Sequence, residues 1–163
     1  MKRKYWILLI VFVILLVLDQ ASKLLIERHV PLHQAIEVIP GFFAITHVEN
    51  RGAAFGLLAG LPGAGTLFVI ISLIAIVLIG AYFRWLKDDE VWTPFCLALV
   101  LTGAVGNLID RFRLGSVVDF LDVHYRGWHW PAFNVADSCI TVGVLLLALK
   151  ILWGEKTKTA QER

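Results

Sequence analysis

Two aspartates stand out because each carboxylate lies among apolar neighbours with no cation close by in the sequence. Asp119 lies in the segment 117–120, VVDF, and Asp137 ends the segment 133–137, FNVAD. Two carboxyl groups held together at an apolar boundary do not both ionise. A pair with one protonated and one ionised carboxyl can activate water and protonate a leaving group, as in aspartic proteases. We therefore interpret Asp119 and Asp137 as a candidate catalytic pair.

Two other acidic residues have a basic neighbour. Asp19 and Lys23 are four residues apart, which places them on one face of a helix in the order that favours an ion pair. Asp110 is followed directly by Arg111. We expect both pairs to be structural and charge-compensated rather than catalytic.

Polar residues recur at helical spacing in two further apolar runs. One stripe has spacing i, i+4, i+7 and i+8, and comprises Gly103, Asn107, Asp110 and Arg111. The other has spacing i, i+3 and i+7, and comprises Asn134, Asp137 and Thr141. Ionisable residues inside an apolar span are costly and by default indicate function. The stripes therefore predict a polar site between helices.

The composition indicates a membrane protein. Hydrophobic residues make up 58% of the 163 residues, charged residues only 17%, and the mean hydropathy is +0.76. Soluble domains carry about 25% charged residues. The net charge of +2 and the lack of a basic stripe give no indication of a nucleic-acid partner.

Four runs are long enough to cross a bilayer, which takes roughly 20 helical residues. The predicted helices cover about residues 5–26, 66–86, 91–111 and 131–153. We expect a single membrane domain, 1–163, with outer segments at 27–65 and 112–130. The first run resembles a secretory signal peptide but lacks a small-x-small cleavage site, so we expect it to remain as a span.

The distribution of lysine and arginine predicts the orientation. With the N-terminus inside, nine basic residues fall on the cytoplasmic side and five on the outer side, which favours N-in and C-in. The polar stripes and both candidate aspartates then lie near the outer face. The active site is expected at that depth.

The two outer segments differ in character. Residues 36–39 and 42–48 are rich in β-forming residues around Pro40-Gly41, which predicts a short hairpin or small sheet. Residues 115–130 are rich in aromatic residues, which favour the membrane–water boundary. We expect the second segment to lie along the outer surface.

Other catalytic groups fit less well. Cys96 and Cys139 fall at different depths, too far apart for a disulfide, and their apolar neighbours predict inert, buried thiols. Ser22 and Lys23 are adjacent, so a helix points them about 100° apart. The five histidines lie outside the spans and match no HExxH-type spacing, so we expect neither a metal nor a cofactor.

Five motifs in order resemble those of the lipoprotein signal peptidases, the type II signal peptidases of bacteria. They are 19–23 (DQASK), 50–56 (NRGAAFG), 103–111 (GAVGNLIDR), 117–120 (VVDF) and 133–137 (FNVAD). The resemblance covers nearly the whole chain, with no departure at the motif positions.

The resemblance implies an aspartyl endopeptidase of the bacterial cytoplasmic membrane. The implied substrate is a prolipoprotein whose cysteine carries diacylglycerol, cut just before that cysteine, and the implied inhibitors are globomycin-type antibiotics. It also implies a small extracytoplasmic β-cradle. Asp119 and Asp137 match the family's catalytic pair. The positions implied to support the site or contact substrate are Asp19, Lys23, Asn50, Gly103, Asn107, Arg111 and Asn134. We expect a monomer in contact with membrane lipids.

Two other classes of protein remain open from the residues alone. A small transporter or channel subunit can use carboxylates as a proton relay, but these should then be staggered through the bilayer. A purely structural assembly protein leaves Asp119 and Asp137 without a role.

A variant with both Cys96 and Cys139 replaced by alanine should keep most of its activity on a lipidated prolipoprotein, because neither thiol is expected to react. Gel-shift cleavage of that substrate measures it. An inactive Cys139→Ala enzyme that still folds in the membrane would point instead to a thiol mechanism.

Overall fold

The computed structural model describes residues 2–52 and 63–161. Its helices are α1 (Arg3–His29), α2 (Ala64–Trp85), α3 (Trp92–Leu114) and α4 (Val135–Gln161). Its strands are β1 (Ala35–Ile39), β2 (Phe43–Asn50), β3 (Val117–Tyr125) and β4 (Trp128–His129). Residues 53–56 of the predicted loop motif lie outside the described residues.

Four helices in the described part of the chain are long and apolar enough to cross a membrane. The 27 residues of α1 reach about 40 Å at 1.5 Å per residue. Side chains such as Val77 on α2 and Leu145 on α4 are more than half exposed, as expected of surfaces that face lipid. The four apolar helices and the small antiparallel sheet of the predicted fold class are confirmed.

The helix α3 is the central element of the bundle. It packs against α1, α2 and α4, and two thirds of its most apolar stretch is buried, whereas the other three helices are mostly exposed. Gly115, at φ 74°, ends α3 in the left-handed conformation and leads the chain directly into β3. The polar stripe of α3 therefore lies inside the bundle.

Close helix packing depends on two glycines of α3. A Cβ on Gly103 would lie 2.3 Å from the carbonyl oxygen of Ala136, and one on Gly106 would lie 2.5 Å from the Asp19 carboxylate. Neither site has room for a methyl group. The two glycines thus allow α4 and α1 to approach α3 at the depth of the polar residues.

The sheet has the strand order β1-β2-β3-β4, with antiparallel pairing throughout. The β1–β2 hairpin turns at Pro40-Gly41, where Gly41 has φ 70°. This hairpin was predicted from the sequence.

The segment 115–130 was predicted to lie along the outer surface, which stays a prediction, but its strand was not predicted. Residues 117–125 form β3, whose partner β2 pairs Val48 with Asp119 and Asn50 with Val117. The run VVDFLDVHY is rich in β-branched and aromatic residues, which favour a strand. Its aromatic residues were instead interpreted as a preference for the membrane–water boundary. Asp119 therefore lies on a strand of the sheet.

The fourth helix was predicted to start at about residue 131, but α4 begins at Val135. The backbone of Phe133 is bonded to the sheet instead. Its carbonyl accepts from the amides of Phe120 and Leu121, and its amide donates to Leu121. These bonds hold Phe133 beside β3, just before α4 begins.

Replacing Gly103 with alanine should lower the stability of the protein by about 1–3 kcal/mol, because the new methyl group overlaps α4. Thermal unfolding of the purified protein in detergent measures the change. The matched control is Gly80→Ala on α2, where an added Cβ meets nothing within 4 Å. Equal melting temperatures for the two variants would contradict the tight α3–α4 contact.

Candidate active site

A buried lysine lies at the centre of the polar cluster. Lys23 Nζ lies 3.0 Å from Asp19 Oδ2, 2.8 Å from Asp110 Oδ2 and 3.0 Å from Asn107 Oδ1. The ammonium group has three N–H donors, so these three acceptors satisfy it fully. Lys23, Asp19 and Asp110 are all completely buried. The cluster joins α1 to α3.

The Asp19–Lys23 ion pair was predicted correctly, whereas the Asp110–Arg111 pair was not. Asp110 bonds to Lys23 on α1 and accepts from the backbone amide of Val118. Adjacent residues on a helix point in different directions, so Arg111 faces elsewhere. Asp110 thereby joins α1 and α3 to β3.

The Asp19 carboxylate ties α1 to the start of α4. Asp19 Oδ1 accepts from the backbone amide of Ala136 at 2.8 Å. Gln20, which the sequence analysis did not assign, donates from Nε2 to Asp19 and to Asp110. Its only sequence signal was its position beside Asp19 in the DQASK motif. The network therefore fixes the helix turn that carries Asp137.

Asn107 connects the buried lysine to one of the candidate aspartates. Its Oδ1 accepts from Lys23, and its Nδ2 donates to Asp137 Oδ1 at 2.7 Å. The ammonium group can only donate, so it fixes the orientation of the Asn107 amide. Asp137 Oδ2 also accepts from the backbone amide of Asn134 at 3.3 Å.

Two asparagines hold the other candidate aspartate. Asn134 Nδ2 donates to Asp119 Oδ1 at 2.7 Å, and Asn50 Nδ2 donates to Asp119 Oδ2 at 3.0 Å. Asn134 Oδ1 accepts from the backbone amide of Asp137 at 2.9 Å, so one buried side chain contacts both aspartates. Each carboxyl group is thus positioned by amides, and neither forms a direct ion pair with a described residue.

Burial, and after it the nearby charge of Asp137, raise the pKa of Asp119 to about 7. The carboxyl is 2% exposed. The hydrogen bonds from Asn50 and Asn134 and the charge of Lys23 act in the opposite direction. A carboxyl with this pKa exchanges a proton near neutral pH, as a catalytic acid or base must.

Asp119 and Asp137 line one cavity of about 650 Å³. Asn50, Gly103, Asn107 and Arg111 line it too, so the structure brings most of the predicted site residues to one place. The remaining predicted residues, Asp19, Lys23 and Asn134, are fully buried behind it.

The cavity wall away from the aspartates is mainly apolar. Phe68 and Ile71 contribute from α2, and Ile140 and Val142 from α4. The Arg111 guanidinium stacks over the Phe68 ring at 5.1 Å. The arrangement combines a polar end that can move protons with an apolar wall that can receive hydrocarbon.

Both cysteines are free and buried. Among the described residues, one group of three metal-ligating side chains lies together, Asp122, His124 and His129, on β3 and β4. Asp122, which had no predicted role, contacts His129 there at 3.0 Å.

Comparison with known proteins agrees with this geometry. A family model described as signal peptidase (SPase) II matches residues 11–153. The lipoprotein signal peptidase of Geobacter sulfurreducens is 51% identical over 158 residues, covering 97% of this chain and 99% of that protein. That of Geobacter metallireducens is 48% identical over 159 residues, covering 98% of each.

A solved structure described as a bacterial membrane enzyme has the same fold. It superposes with a TM-score of 0.84 at 34% sequence identity, over 93% of this chain and 90% of that one. The family match, the full-length relatives and the shared fold agree, and the chain belongs to the signal peptidase II family.

Proposed function

We propose that this protein is an aspartic endopeptidase that removes the signal peptide from diacylglyceryl-modified prolipoproteins, cutting just before the lipidated cysteine. The observation that carries the proposal is the pair Asp119 and Asp137. Asn107 donates to Asp137 and Asn134 donates to Asp119, and both carboxyl groups line a single cavity with an apolar wall. The name of the relatives, lipoprotein signal peptidase, supports the substrate class.

In the proposed reaction the two carboxyl groups share one proton. The ionised carboxylate takes a proton from a water molecule as that water attacks the scissile carbonyl. The protonated carboxyl donates a hydrogen bond to the developing oxyanion. The carboxyl that took the proton from water then passes that proton to the leaving nitrogen. Water is the nucleophile, so no acyl-enzyme forms. The proton belongs to the coupled pair rather than to one residue.

The apolar wall of the cavity suits the lipid part of the substrate. A diacylglyceryl group keeps its acyl chains in the bilayer, so a cavity lined by Phe68, Ile71 and Ile140 can receive it beside the aspartates. Arg111 lies on the same cavity wall, where its guanidinium can donate to the ester or phosphate oxygens of a lipid. Asn107 and Gly103 support the site by fixing α3.

The site is proposed to face the outer side of the membrane, with both termini in the cytoplasm. Basic groups gather at the opposite end of the bundle, where Lys4 donates to the Leu86 carbonyl and Lys150 pairs with Glu90. The sheet lies at the end that carries the aspartates, and its Trp128 is exposed. This polarity supports the N-in, C-in orientation.

The transporter alternative is less well supported. A proton relay needs ionisable groups at several depths, yet in the described residues the buried carboxylates Asp19, Asp110 and Asp119 belong to one cluster around Lys23 and the asparagines. The helix α2 carries no acidic residue.

Asp119→Asn and Asp137→Asn should each reduce cleavage by about 10⁴-fold or more, because either change removes one member of the acid–base pair. The assay is gel-shift cleavage of a purified lipidated prolipoprotein, with globomycin as the proposed inhibitor. Asp89→Asn, an exposed carboxylate in the α2–α3 turn, is the matched control and should cleave normally. Near-normal cleavage by either dyad variant would contradict the proposal.

Cleavage should fall as the pH rises through about 7, because the aspartate pair then loses its shared proton and both carboxyls are ionised. The measurement is kcat/KM as a function of pH. The hydrogen bond from Asn50 favours the ionised form, so Asn50→Ala should raise the pKa of Asp119 and move this decline to higher pH. A decline at the same or lower pH in the variant would contradict this assignment.

A further inference from the structure

A second cluster of polar side chains lies on the sheet. Asp122 and His124 are two residues apart on one face of β3, and His129 on β4 pairs directly with His124. Their ligand atoms all lie within 4.8 Å of one another. We propose that Asp122, His124 and His129 form a binding site for a zinc-like divalent transition-metal ion, a property independent of the peptidase reaction.

The hairpin turn positions the two histidines. Arg126 and Gly127 have φ of 51° and 82°, the backbone that a two-residue turn between twisted strands requires. This turn fixes the register, so the imidazole rings stack with their centroids 4.8 Å apart and 23° between their planes. The cluster is thus set by local backbone geometry.

One ring nitrogen of the cluster has no hydrogen-bond partner in the part of the chain that the structure describes. His124 Nδ1 is buried, and the Asp122 carboxylate lies 3.8 Å away, beyond hydrogen-bonding distance. Buried polar atoms are nearly always satisfied, so an unpartnered nitrogen calls for a ligand. A metal ion between His124 and Asp122 would satisfy it.

The other nitrogen of the same ring faces a carboxylate. His124 Nε2 lies 3.9 Å from Glu37 Oε1 on β1. Histidines that bind metals commonly direct their second N–H toward a carboxylate, which fixes the tautomer and orients the ring. A small movement of the exposed Glu37 side chain to hydrogen-bonding distance would keep the proton on Nε2 and leave the Nδ1 lone pair for the ion.

Two imidazoles and one carboxylate indicate the kind of ion. Zinc takes nitrogen and oxygen ligands tetrahedrally, at distances that place neighbouring ligand atoms about 3.3 Å apart. Asp122 Oδ1 already lies 3.0 Å from His129 Nδ1. His129 is 56% exposed, so an ion can reach it from solvent. Calcium and magnesium prefer all-oxygen sites, so they fit this donor set poorly.

The site borders the cleft that contains a catalytic residue. Asp122 and His129 line a cavity of about 600 Å³, and Asp119 lines the same cavity. A bound ion would hold β4 against β3 at this rim. The spacing of the three residues matches no metal motif, and only the hairpin register brings them together.

The test uses the full-length, tag-free protein in detergent after dialysis against EDTA. Isothermal titration with zinc chloride should show one ion bound per chain. His129→Gln and Asp122→Asn should each weaken binding by about tenfold or more, since each removes one of three ligands. His33→Asn is the matched control: it removes an exposed imidazole outside the cluster, and asparagine tolerates the φ of 63° there. Its affinity should equal that of the wild type.

A second measurement separates binding at this site from other effects. Zinc should raise the Tm of the wild-type protein and of His33→Asn, and should leave that of His129→Gln unchanged. Magnesium chloride should change none of them. Failure of the wild type to bind zinc, or equal affinity in all variants, would overturn the proposal. Neither readout depends on cleavage, so the outcome is separate from that of the proposed function.

Discussion

The buried charge of Lys23 is the constraint on which the arrangement of this site depends. An ammonium group enclosed between helices is tolerated only when all its protons are bonded and its charge is balanced. Asp19 and Asp110 balance the charge, and Asn107 Oδ1 accepts the third hydrogen bond of the ammonium group. These partners come from α1 and α3, so satisfying one cation fixes two helices and sets the direction in which the Asn107 amide points toward Asp137.

The charged ion pairs of the site lie apart from the two proposed catalytic carboxyl groups. In the described part of the site, Lys23 forms ion pairs with Asp19 and Asp110, whereas Asp119 and Asp137 are held by neutral amides. A direct ion pair would stabilise a carboxylate in its ionised form and remove its capacity to hold a proton near neutral pH. The asparagines position the carboxyl groups without adding a full positive charge. Burial therefore remains the largest influence on the pKa of Asp119, which reaches about 7. The close approach that makes this possible requires Gly103 and Gly106 on α3.

Much of this was predictable from sequence, for identifiable reasons. Length and hydropathy determine the membrane helices, and helical spacing placed the polar residues of α3 and α4 on inward stripes. Long-range partners were not predictable: Asp110 was paired with its neighbour Arg111, although its partner Lys23 is 87 residues away. The strand β3 was missed because its pairing with β2 is set by chain segments far apart, and the start of α4 because the sheet binds the backbone of Phe133. The three side chains of the proposed metal site come together through the β3–β4 hairpin, which was not predicted either.

The central claim is that the two aspartates hold a single proton near neutral pH without help from a cation in direct contact. Infrared difference spectroscopy of the purified protein, titrated from about pH 6 to about pH 8 across the pKa of about 7, measures it through the C=O stretch of a protonated carboxyl. The account predicts that one such band is present at the lower pH, disappears at the higher pH, and is absent from Asp119→Asn throughout. A wild-type protein with no protonated-carboxyl band at the lower pH, or a band that persists in Asp119→Asn, would contradict it.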